Sequence, residues 1–76
     1  MNRNRRKQLA EVNSMLSRAV SIVESVCEDE QDCLDNMPEN LQFSDRYSDM
    51  EDAISNMEDA IESINSAIES VDKASQ

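Results

Sequence analysis

The sequence predicts an all-α protein, an antiparallel helical hairpin of coiled-coil type. Three observations lead there. Glycine is absent, the only proline is Pro38 near the middle, and apolar residues recur in steps of three and four on both sides of it. A chain of 76 residues is a single domain. It is also short enough that a lone core would be thin, so a second copy is expected to complete it.

Residues 1–6 are expected as a basic tail ahead of one domain spanning 7–76. Helix 1 is expected over residues 7–35. Its apolar stripe reads Leu9, Val12, Leu16, Ala19, Val23, Val26 and Cys33, interrupted by Glu30 at a core-type position. A cationic partner for that acid is expected in Arg46. Met15, Val20, Ile22, Cys27 and Leu34 flank the stripe, making the apolar face wider than a two-stranded seam requires.

Residues 36–44 form the expected connection. Pro38 has no amide hydrogen and disfavours helical geometry at Met37. Met37, Leu41 and Phe43 are apolar enough to plug the end of a bundle, and Ser44 is a good N-cap, with a second capping possibility at Ser48 and Glu51.

Helix 2 is expected over residues 45–74, where a seven-residue repeat sets the register. Tyr47, Ile54, Ile61 and Ile68 form one column, Met50, Met57, Ile64 and Val71 the other, and Ala53, Ala60, Ala67 and Ala74 recur beside them. The two stripes match in antiparallel order. Leu9 is set against Val71, Val12 against Ile68, Leu16 against Ile64, Ala19 against Ile61, Val23 against Met57, Val26 against Ile54 and Cys33 against Tyr47. Met15, Ile22, Cys27, Leu34, Ala53, Ala60 and Ala67 are left over, and they are the expected interface of a homodimer, a four-helix bundle.

The formal charge of -10 disfavours nucleic acid and anionic membrane as partners and favours a protein with a basic surface. The first 18 residues run against this trend, with Arg3, Arg5, Arg6, Lys7 and Arg18 opposed only by Glu11. Pairing of Arg6 and Lys7 with Glu69 and Asp72, or a solvated tail, outranks phosphate binding for this basic tip. No apolar run is long enough for a membrane span, and a cytoplasmic protein is expected.

Chemistry has little to build on, and no enzyme is expected. There is no histidine, no Gly-rich loop and no nucleophile paired with a base. Cys27 and Cys33 stand roughly 9 Å apart along one helix, too far to bridge, and serve as small hydrophobes. The acidic run from Glu28 to Asp35 lacks the central glycine and converging ligands of a calcium loop, so no metal or cofactor is expected. The exposed face of helix 2 carries Glu51, Asp52, Glu58, Asp59 and Glu62, a bias that stability does not favour. Those five residues, with Met37, Pro38, Leu41 and Phe43 at the bend, are the candidate partner-binding surface.

The segment from Glu30 to Tyr47 resembles short uncharacterised acidic helical proteins carried by phages and mobile elements of Gram-positive bacteria. Asp35-Asn36-Met37-Pro38-Glu39-Asn40-Leu41-Gln42 is the specific core of the likeness. The resemblance implies a host bacterial cytosol and a stoichiometric inhibitor of host nucleic-acid machinery or defence. Read together with the acidic face, it makes the leading expectation an interaction protein that binds and inhibits a host protein. An assembly module acting by self-association is the alternative, and a nucleotide-binding sponge a weaker one.

Overall fold

The computed structural model describes all 76 residues as two long helices joined by a short turn, 59 Å along the longest axis and no more than 14 Å across the others. Helix α1 spans Arg3–Asp35 and helix α2 spans Asp45–Ala74, and they pack side by side in antiparallel order. The all-α hairpin read from the periodicity is the observed fold.

Helix α1 begins four residues earlier than expected. Asn2 is its N-cap, with extended backbone and a side-chain oxygen that accepts from the Arg5 amide at 2.8 Å. The arginines assigned to a tail are thus the first turn of the helix. At the other end Asn36 closes the helix: its amide and its Nδ2 both donate to the Asp32 carbonyl. Pro38 then ends any continuation, and Glu39–Leu41 form a single 3₁₀ turn. No residue has positive φ, which explains how a chain without glycine can reverse direction here. Ser44 caps α2, its Oγ accepting from the Tyr47 amide at 3.2 Å, while Ser48 lies inside the helix. A cap of this kind contributes about 1 kcal/mol.

The register of α1 differs from the expected one. The half-buried and buried residues of α1 are Leu9, Asn13, Leu16, Ala19, Val20, Val23, Cys27, Glu30 and Leu34, whereas Val12, Val26 and Cys33 are exposed. Asn13 Nδ2 donates to the Ile68 carbonyl at 3.5 Å, which sets Asn13, not Val12, against Ile68. One-for-one antiparallel counting from that pair brings Val20 level with Ile61, Cys27 with Ile54 and Leu34 with Tyr47, and the residues lining the seam agree. Four of the seven expected pairs, those of Val12, Ala19, Val26 and Cys33, therefore shift by one residue. The rotation buries Val20 and Leu34, which are larger than Ala19 and Cys33, and in exchange places Asn13 and Cys27 where Val12 and Val26 were expected.

The expected columns of α2 stand as read. Ile54 is buried, and Tyr47, Met50, Met57, Ile61, Ile64, Ile68 and Val71 are half-buried along one face. Even so, only Val20, Leu34 and Ile54 are buried in the whole hairpin, so the two helices hold a seam and not a core.

Candidate functional site

Each helix has two flanks beside its seam positions, and the pairing decides which flanks share a side of the hairpin. Glu24 and Gln31 of α1 border the same shallow depressions as Glu58 and Glu51 of α2. These positions recur every seven residues, so they mark one long side of the molecule. On the opposite side lie Val12, Ala19, Val26 and Cys33 from α1 and Ala53, Ala60, Ala67 and Ala74 from α2. Toward the bend the first side is acidic, while its open end is lined by Arg6 and Arg18 with Asp72; the second side is centred on apolar residues.

The acidic side is built by both helices. Glu24 and Glu28 join Glu58 around one depression, Asp35 joins Glu51 around the next, and Glu58, Glu62 and Glu69 border a third. No lysine or arginine lines any of these three. Lys73 reaches only Glu69, at 3.5 Å, in an exposed pair one turn apart on α2, and it is the one ion pair of the hairpin. Asp52 and Asp59 are exposed on the outer face of α2 next to this side, and Glu51, Glu58 and Glu62 are exposed with them. The contribution of Glu24 and Glu28 was missed because it depends on the rotation of α1, which the apolar pattern alone left one residue out.

Glu30 is half-buried at a seam position and makes no ion pair with Arg46, which is exposed; the expected pairing is absent. Likewise Arg6 and Asp72 line a common depression at the open end without forming an ion pair.

At the bend, Met37 is half-buried, Leu41 is 45% exposed and Phe43 is 98% exposed. Phe43 therefore plugs nothing. It projects from the short turn between the 3₁₀ segment and α2, the largest exposed apolar side chain in the molecule.

The expected self-association surface divides. Leu34 is buried and Cys27 half-buried in the seam between α1 and α2, so neither is free to meet a second chain. Met15 and Ile22, at 66% and 60% exposure, do remain uncovered, and Val12 and Val26 at 40% and 50% extend the same strip. Both cysteines are free thiols, and no three thiols or carboxylates are grouped so as to hold a metal ion. No helix is long and apolar enough to cross a membrane. No family model matches the chain, and no curated protein or solved structure is significantly similar to it.

Proposed function

We propose that the protein is a non-catalytic interaction protein whose acidic side docks onto a basic surface of another protein. In the phage or mobile-element setting implied by the Asp35–Gln42 segment, that partner is a nucleic-acid-binding or defence protein of the host cytoplasm, and docking inhibits it. The observation that carries the reading is the gathering of Glu24, Glu28, Glu51, Glu58 and Glu62 from two helices onto one side with no cation among them. Like charges at neighbouring turns and across a seam lower the stability of the hairpin. A rigid row of carboxylates is suited to a groove that ordinarily holds phosphates.

The test is capture from host lysate on the immobilised protein, followed by elution with increasing salt. Basic proteins should be enriched, and their release should track ionic strength because the contact is charge-driven. The variant Glu51→Gln/Glu58→Gln/Glu62→Gln should retain helicity and lose the captured protein. Capture that is unchanged in this variant would remove the proposal.

A second reading is favoured by a separate observation. The uncovered strip of Val12, Met15, Ile22 and Val26 on a molecule with so thin a seam supports self-association into a homodimer. The two readings use opposite sides of the hairpin and are compatible.

A further inference from the structure

We propose that two copies of the hairpin pair through their apolar sides with their bends at opposite ends, α1 lying antiparallel on α1 and α2 on α2 about a two-fold axis near Ala19. The proposal rests on the self-association reading above and adds what that reading lacks, the direction of packing.

This side carries one track from each helix. On α1, Val12, Met15, Ala19, Ile22, Val26 and Cys33 recur at steps of three and four, broken only at Asp29. On α2, Ala53, Ala60 and Ala67 alternate with Asn56, Ser63 and Ser70 at the same steps, and the alanines let a second backbone approach closely. Ala19, the midpoint of the Val12–Val26 run, is level with Glu62, which lies within one residue of the midpoint of the Ala53–Ser70 track. One two-fold axis can therefore centre both. The whole side of the hairpin, 59 Å by 14 Å, is an envelope of about 800 Å² per subunit, comparable to a standard interface, and the Val12–Cys33 track covers about 32 Å of its length.

Two packings would bury this face, and charge separates them. Residues 1–18 and 63–76, the open end, hold six Lys and Arg against Glu11, Glu69 and Asp72; residues 28–53, the bend end, hold ten acids against Arg46. With bends together, acid would stack on acid. With bends opposed, the basic end of each α1 lies over the acidic end of the other. The Debye length of about 8 Å at physiological salt is short against the interface, so local pairing outweighs the repulsion of two net charges of -10.

The charge order within α1 points the same way. Its first turn has no acid and its last turn no base, with Arg3, Arg5 and Arg6 at the positive end of the helix dipole and Asp32 and Asp35 at the negative end. Both ends are unfavourable for an isolated helix. An antiparallel α1 from a second copy offsets both at once. With the axis at Ala19, Arg5 stands at the height of Cys33 of the second copy, one helical turn from its Asp29, within reach of an arginine side chain.

The experiment measures the dimer dissociation constant by sedimentation equilibrium for the full chain and for exposed-residue variants that leave the seam intact. Asp29→Arg should weaken the dimer about tenfold, through two symmetric lost pairs and the repulsion that replaces them, and Arg5→Glu/Asp29→Arg should restore it. Ile22→Glu should abolish it. A wild-type chain that is monomeric at high micromolar concentration overturns both the self-association reading and this packing. A dimer that tightens on Asp29→Arg has its bends together, and a dimer indifferent to the charge exchange pairs elsewhere. Either result overturns the opposed packing and leaves self-association standing.

Discussion

Asn13 donates from Nδ2 to the backbone carbonyl of Ile68 across the seam, at 3.5 Å, while its Oδ1 is buried without a partner. A polar residue at a core-type position of a coiled coil commonly fixes register at a cost in stability. Here it marks which of two overlapping apolar stripes on α1 faces α2. Asn13→Val removes the orphaned oxygen and adds apolar area. The expected outcome is a gain of about 1 kcal/mol in unfolding free energy, read as a higher urea midpoint, together with peak doubling in an amide NMR spectrum as the neighbouring register becomes accessible. A loss of stability would show that Asn13 serves the seam by more than selecting its register.

The adjacent pair Cys33 and Leu34 tests the rotation of α1 directly. Leu34 is buried and Cys33 exposed. Leu34→Ala should destabilise the hairpin by about 2–3 kcal/mol, and Cys33→Ala by under about 0.5 kcal/mol. Chemical denaturation of the two variants side by side decides the matter. Equal costs, or a larger cost at Cys33, would restore the register read from the apolar pattern alone.

That pattern was decisive for α2 and ambiguous for α1, for a reason visible in the residues. In α2 every seam position has one apolar candidate, because Ser55, Glu58, Glu62 and Asn65 stand beside Ile54, Met57, Ile61 and Ile64, and the only apolar neighbours are the small alanines. In α1 the candidates come in adjacent pairs, Ala19 with Val20, Val26 with Cys27, and Cys33 with Leu34. Counting apolar residues selects Val12 over Asn13 and carries the whole stripe with it. Side-chain volume selects otherwise at Val20 and Leu34. The acids of α2 were legible as a surface from spacing along one helix. Glu24 and Glu28 became part of it only once the rotation of α1 was known.

Crowding of carboxylates on the acidic side has a stability cost that substitution should relieve. Glu24 has Glu28 one turn away on its own helix and Glu58 across the same depression. Glu24→Lys converts two repulsions to attractions and should stabilise the hairpin by about 0.5–1 kcal/mol at low ionic strength, with the gain shrinking as salt is added. Thermal melts at two salt concentrations measure it. A salt-independent gain would point to helix propensity, with charge playing no part. If the acidic side is kept for docking, the same variant binds its partner more weakly while folding better.

Phe43 separates docking from folding most cleanly. With 98% of its surface exposed, its removal vacates no packed volume, and Phe43→Ser should change the unfolding free energy by no more than about 0.5 kcal/mol, as an ordinary surface change does, leaving the melting temperature nearly unmoved. It should also leave the dimer intact, because the bends lie at the far ends of the opposed packing, away from the axis near Ala19. An exposed aromatic beside a charged face is the kind of anchor that contributes strongly once a partner desolvates it, and truncating such an anchor commonly costs 2 kcal/mol or more of binding. Retention of the captured partner should therefore fall by about tenfold or more in Phe43→Ser, with folding and self-association unchanged. Unchanged retention would confine docking to the carboxylates. A drop in melting temperature would mean that Phe43 is covered in solution, and that the bend packs against something other than solvent.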